Sequence, residues 1–373
     1  MTKHLVLVGG GHSHALLLKK LVRAPIRDLE VTLISPGRFA PYSGMLPGFI
    51  SGHYDFQDIH IDLIKLAQCS RCQFIESRAN ALNPKKQQLL LENDQWISYD
   101  LLSFDTGATP DLSVPGSAEY TIPVKPIEQF HSRWTKLLKD IQESNPSSPF
   151  TLSIIGSGAA GIELALAIDY KLKRDIERPV SIQLLSRTKD ILTGYPTRLQ
   201  RYIHKRFAEA GIRILQDCDV SRVTATQLFT KDGEIIDSSA HLWCTQVTGA
   251  EWLTDTQLSL SQAGFIEVRP TLQTLSYDSI FAVGDVAHLI HQPLPKAGVY
   301  AVRMADTLYT NLKAVSENTT LSDYQPQQDF LSLLACGDRT AVGCKHGLTI
   351  KGRWVWRMKD KIDRDFMNQF KAL

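Results

Sequence analysis

Short apolar runs that stop at glycine turns, each followed by a helical pattern, organise this chain. Leu5-Val6-Leu7-Val8 runs into Gly9-Gly10-Gly11, and Leu152-Ser153-Ile154-Ile155 runs into Gly156-Ser157-Gly158. A continuous apolar run ending at such a turn is how a buried parallel strand delivers the chain to a helix N-terminus. The pattern therefore predicts two nucleotide-binding units rather than one. Between them, Ala79 to Leu91 and Trp96 to Tyr99 predict a small antiparallel excursion, and Asn145-Pro146-Ser147-Ser148-Pro149 reads as a linker before the second unit. Leu242 to Val247 and Ser279-Ile280-Phe281-Ala282-Val283 are strand-like, the latter ending at Gly284-Asp285. From Tyr324 onward the pattern changes to short strands such as Phe330 to Leu334. A terminal helix follows, with an apolar stripe of Trp354, Met358, Ile362, Phe366 and Phe370.

With 373 residues, 43% hydrophobic and 21% charged, the chain has material for two or three domains with a sizeable core, which excludes disorder. Lysine plus arginine (41) nearly balances aspartate plus glutamate (39), so no global field favours nucleic acid or a membrane surface. The N-terminus enters an apolar strand without a secretory pattern, and a cytoplasmic location is expected. The apolar window Thr151 to Ile168 is broken by Gly156, Ser157, Gly158, Gly161 and Glu163, so it reads as strand, turn and helix rather than a membrane span. Six cysteines in a chain of this length read as free thiols, and the Cys69–Cys72 spacing lacks the second pair of a zinc site.

A Gly-x-Gly turn between strand and helix lets the backbone approach a pyrophosphate and aims helix N-terminal amides at it. Gly156-Ser157-Gly158-Ala159-Ala160-Gly161 is complete, its third glycine permitting close helix–strand packing. The first copy places His14 at that third position, which predicts a looser helix–strand contact while keeping Gly9 and Gly11. His12 and His14 lack a carboxylate or cysteine companion, so they read as polar helix-start residues near phosphate, and no metal site is expected. Neither copy carries the acidic residue that binds ribose hydroxyls: the second strands end in Ser35 and in Ser186-Arg187. Serine with a neighbouring guanidinium leaves the second site open to a 2′-phosphate, and hence to NADPH. Arg187 as a solvated loop residue is the competing reading.

Ile280-Phe281-Ala282-Val283-Gly284-Asp285-Val286-Ala287 resembles the second FAD motif of the pyridine nucleotide-disulfide oxidoreductase superfamily. Tyr99 to Ala108 and Trp243 to Ala250 resemble the paired Thr-Gly-Ala/Ser segments that mark crossings between FAD and NAD domains. The resemblance covers nearly the whole chain and is nearest to type II NADH dehydrogenases and sulfide dehydrogenases. More narrowly, Pro41 to Gly48, Pro295 to Arg303 and Lys359 to Asp363 resemble oxidoreductase modules associated with selenide, water dikinase.

The resemblance implies an α/β fold with two Rossmann-like dinucleotide-binding domains, for FAD and NAD(P), each of three-layer ββα architecture, plus a small C-terminal α+β element. The implied division is 1–115 and 256–315 for FAD, 116–255 for NAD(P) and 316–373 for the C-terminal element. It assigns Gly9, Gly11, His14, Ser35, Thr106, Gly107, Gly284, Asp285, Lys296, Ala297 and Gly298 to FAD. It assigns Gly156, Gly158, Gly161, Glu163, Arg187 and Gly249 to NAD(P). Lys296, at a helix start after Pro295, and Glu163, towards the nicotinamide, are the expected positioning groups for catalysis. Lys125 reads as a solvated linker lysine, with approach to the flavin as the alternative.

The chemistry implied is hydride transfer from NAD(P)H to FAD and onward electron transfer to a small-molecule acceptor. Where disulfide reductases carry a cysteine pair, this chain has Tyr42 to Pro47, so no redox-active disulfide is expected. Val299 and Arg303 stand where the glutamines of a quinone motif are expected. The alternative is an FAD-binding redox sensor or accessory protein linked to selenium metabolism. The terminal helix is expected to dock within the chain or on a second copy, making a homodimer, in preference to a membrane.

Overall fold

The computed structural model describes residues 2–145 and 147–372; Pro146, in the anticipated linker, lies outside them. The first apolar run forms strand Lys3–Val8, the centre of a five-stranded parallel sheet. Across the sheet the order is Ile280–Ala282, Leu101–Phe104, Lys3–Val8, Leu29–Ser35 and Gln73–Glu76. Leu5, Val6 and Leu7 are fully buried, which is why this strand reads as a continuous apolar run rather than an alternating one. The second unit repeats the design, in the order Ile122–Pro123, Ala240–Trp243, Phe150–Ile155, Val180–Leu185 and Arg213–Leu215, again all parallel.

Each parallel sheet is accompanied by a three-stranded antiparallel sheet, Ala79–Asn83 with Gln88–Leu91 and Trp96–Ser98 in one unit, Val220–Val223 with Gln227–Thr230 and Ile235–Asp237 in the other. The chain passes from the first unit to the second and back, because Ile280–Ala282 returns to complete the first sheet. The two crossing segments pair with each other: Thr109–Pro110 lies antiparallel to Val247–Thr248, and the Thr109 hydroxyl donates to the Thr248 carbonyl at 3.1 Å.

The C-terminal element is a three-stranded antiparallel sheet, Ser332–Ala335, Ala341–Lys345 and Leu348–Gly352, followed by helix Arg353–Lys371. The helix docks within the chain, but on a different face from the one its apolar stripe suggests. Val355, Lys359, Asp363, Met367 and Phe370 are its buried residues, whereas Trp354 is 56% and Ile362 46% exposed. The buried line has the same spacing of four but starts one residue later, about 100° around the helix, at Val355, Lys359, Asp363 and Met367. Among the described residues no helix is long and apolar enough to cross a membrane.

Candidate functional site

Both glycine turns are dictated by backbone crowding at the ends of the central strands. Gly9 holds φ +94°, and a side chain there would strike the Asp105 carbonyl and the Thr106 backbone. Gly11 begins helix His12–Arg23, and a side chain on it would strike the Asp105 carboxyl group. In the second unit, Gly156 at φ +118° passes the Cys244 carbonyl, and Gly158 begins helix Ala159–Asp175 with open space before it. Gly161 leaves no room for a side chain against the Gly156 carbonyl.

His14, at the position equivalent to Gly161, is not a phosphate-facing residue. Its ring is fully buried and turned inward, with Nδ1 2.7 Å from the Gly9 carbonyl and Nε2 2.8 Å from the Ser103 hydroxyl. A carbonyl can only accept, so Nδ1 carries the proton and Nε2 accepts from Ser103. Burial, opposed by the Gly9 carbonyl, pulls its pKa down to about 4 and keeps it neutral. The expected looseness is thus replaced by two hydrogen bonds that tie helix, turn and sheet together. Ser35 is buried at its strand end, its hydroxyl donating to the Gly37 carbonyl at 3.1 Å.

The second motif brings Asp285 to the seam between the units. Gly284 takes φ +68° in the turn after strand Ile280–Ala282, and Asp285 accepts the Lys125 ammonium at 2.6 Å. Lys125 follows Ile122–Pro123 of the other sheet, so this ion pair joins the units and corrects the reading of Lys125 as a solvated linker residue. Thr106 is exposed, and Gly107 after it turns at φ +72° with nothing crowding its Cα.

Lys296 donates to the Ala287 carbonyl at 2.7 Å and lies 3.8 Å from the Phe265 ring centre; burial, partly offset by Asp285, pulls its pKa down to about 8. The helix after it runs Gly298–Glu317, with Ala297 as its N-cap rather than its first residue. Facing the same charges, the His12 Nε2 atom is buried without a hydrogen-bond partner. An orphaned ring nitrogen, a positive and a negative side chain at one seam, and helix-start turns with no room for a Cβ fit a flavin dinucleotide.

At the second site the Ser186 hydroxyl is taken up by Ser157 of the glycine turn, at 2.7 Å, while Arg187 next to it is exposed. Ser186 therefore braces the turn, and Arg187 points into solvent. Gly249 packs against Gly264, where any side chain would meet the Gly264 carbonyl, so its role lies in the crossing itself. Glu163 accepts the Ala335 amide of the C-terminal sheet at 2.8 Å instead of capping its own helix. Burial pushes its pKa up to about 7 against the pull of Lys359 and that amide.

Asp105, inside the Tyr99 to Ala108 crossing segment, sits where the two flavin motifs meet. The signal for it was an acidic residue directly after the apolar strand Leu101–Phe104, at a position with no solvent.

Residues 3–305 match the pyridine nucleotide-disulphide oxidoreductase family, and the chain belongs to it. It is an NAD(P)H-dependent flavoprotein oxidoreductase of the NADH dehydrogenase-like kind, with FAD as cofactor. The NADH dehydrogenase-like protein YutJ of Bacillus subtilis is 27% identical over 297 residues, covering 78% of each chain. The sulfide-quinone reductase of Aquifex aeolicus is 24% identical, covering 98% of this chain and 91% of that one. The solved structure of NDH2 from Plasmodium falciparum in complex with NADH superposes with a TM-score of 0.82 at 14% identity, covering 99% of this chain and 98% of its own.

Proposed function

We propose that this protein transfers electrons from NAD(P)H through FAD directly to a small-molecule acceptor, without a cysteine relay. The observation that carries the reading is the Lys125–Asp285 pair, which closes the seam between two units whose central strands each run into a glycine turn. Bound FAD supplies the group that accepts the hydride and passes electrons on. Gly9, Gly11 and the start of helix His12–Arg23 hold its pyrophosphate, and Asp285 anchors the ribityl region. Gly156, Gly158 and their helix hold the nicotinamide dinucleotide. Lys296 and the start of helix Gly298–Glu317 keep positive potential near Asp285. The six cysteines are all unpaired, and Tyr42 to Pro47 contains none, which supports direct transfer. Relatives named for quinones support a small diffusible acceptor.

Anaerobic mixing with NADH and with NADPH tests the reading. Bleaching of the flavin within seconds is the expected result, and no bleaching with either nucleotide overturns it. Turnover with an acceptor panel headed by quinones should then survive thiol alkylation; loss on alkylation would restore a cysteine relay. For the nucleotide itself, Arg187→Glu is expected to raise KM for NADPH roughly tenfold or more while moving KM for NADH much less, because only NADPH presents a phosphate to the introduced carboxylate. Equal changes would make Arg187 a bystander.

A further inference from the structure

Among the described residues, Asp105 is the carboxylate against which both flavin motifs close. A side chain on Gly11 or on Gly284 would run into its carboxyl group. It is 4% exposed and accepts the His14 amide at 3.0 Å, so it caps the first helix from a neighbouring strand. The Ser13 amide and hydroxyl also face it, the hydroxyl donating onward to the Ala301 carbonyl at 2.6 Å.

No cation answers this carboxylate. Asp285 adds like charge, and Lys125 is committed to Asp285. Lys296 is committed to the Ala287 carbonyl, and the His14 ring to Gly9 and Ser103. Burial keeps the His12 ring below its ordinary pKa despite Asp285. Helix Gly298–Glu317 presents Tyr300, Ala301 and Met304 near Gly284, none of them cationic. Burial first, and the charge of Asp285 as well, push Asp105 up to about 7 against the pull of the His14 and Ser13 groups.

We propose that Asp105 is a positioning residue that links FAD binding to a proton: its carboxyl group is neutral in the FAD-bound protein, because an anionic pyrophosphate at the same glycines disfavours a second negative charge. The proposal rests on the assignment of these glycines to FAD. Asp105 sets the sign near neutrality, and Lys296, pulled down to about 8 in the same site, adds a fall in the same direction only above that pH. Below about pH 7 the flavin-free protein already carries the proton, and affinity is flat. Above that, binding must take a proton from water, and affinity falls by up to about tenfold per pH unit.

The test dilutes the flavin-loaded full-length protein into buffers from about pH 6 to about pH 9 and reads released FAD by fluorescence. Wild type, Asp105→Asn and Asp105→Ala are compared. In parallel, an indicator dye in weak buffer at about pH 8 counts protons released with FAD from the wild type. Expected are a wild-type affinity that already weakens between about pH 7 and about pH 8, about one proton released per FAD, and a profile for Asp105→Asn that stays flat up to about pH 8, where Lys296 begins to titrate. A flat wild-type profile without proton release overturns the proposal alone, as does an Asp105→Asn protein that keeps the wild-type slope. If the variants do not fold, wild-type proton release measured at about pH 7, where Lys296 keeps its proton, decides. A wild type that carries no FAD at any pH overturns the flavin reading and this inference together.

Discussion

Asp285→Ala protein is expected to leave purification largely without flavin. Asp285 follows the edge strand of the first sheet, and its carboxylate is 20% exposed while it holds Lys125 at 2.6 Å. Alanine removes a charged acceptor from the ribityl region and strands the Lys125 ammonium at the seam. Hydrogen bonds to charged groups contribute about 1.5–3 kcal/mol, so FAD affinity should fall roughly ten- to a hundredfold. Lys125→Met keeps the carboxylate and should retain more flavin than Asp285→Ala. The measurement is the FAD-to-protein ratio after gel filtration. Stoichiometric flavin in Asp285→Ala would remove the second motif from the binding site.

The second large effect concerns stability and the C-terminal helix. The Lys359 ammonium donates to the Asp363 carboxylate at 2.7 Å and to the Gly44 carbonyl at 2.6 Å, with side chains only 10% and 6% exposed for the pair. Tyr42 reaches the same carboxylate, and burial raises the Asp363 pKa although Lys359 pulls it down. Lys359→Met leaves a buried carboxylate without its cation, which costs about 3–5 kcal/mol. The unfolding temperature should drop by about 5 °C. Lys359→Met combined with Asp363→Leu removes both charges and should recover most of the loss. Thermal unfolding decides: a single variant as stable as wild type would make the pair structurally idle.

The terminal helix shows how a periodic signal misleads. Trp354, Met358, Ile362, Phe366 and Phe370 are the conspicuous apolar residues, and Phe370 is buried while Trp354 and Ile362 stand in solvent. The buried line runs through Lys359 and Asp363 because each neutralises the other and Gly44 satisfies the ammonium. Side-chain burial is set by the partner surface, and a hydrophobic count cannot weigh an ion pair whose ammonium is also satisfied by a distant carbonyl, as Lys359 is by Gly44.

Lys125 and His14 differ from expectation for a related reason. Read along the chain, Lys125 in Val124-Lys125-Pro126 looks like a linker lysine, and His14 looks like a helix-start residue beside phosphate. Only the return of Ile280–Ala282 to the first sheet brings Asp285 to Lys125, and only the pairing of Leu101–Phe104 with Lys3–Val8 sets Ser103 under the His14 ring.

The amino-acid sequence by itself determined the two units, the runs that become their buried strands and the turns at Gly9, Gly11, Gly156, Gly158 and Gly284. These signals are local: a strand buried on both faces needs a continuous apolar run, and a backbone passing within contact distance of another needs glycine. The tertiary structure alone decided the distant partners of the charged and polar groups, Lys125 with Asp285, Lys359 with Gly44, His14 with Ser103, and Asp105 with the turn of Gly11 and the amide of His14. A buried charge or ring nitrogen is tolerable only where a complementary group meets it, and the order of strands across the sheets sets which groups meet.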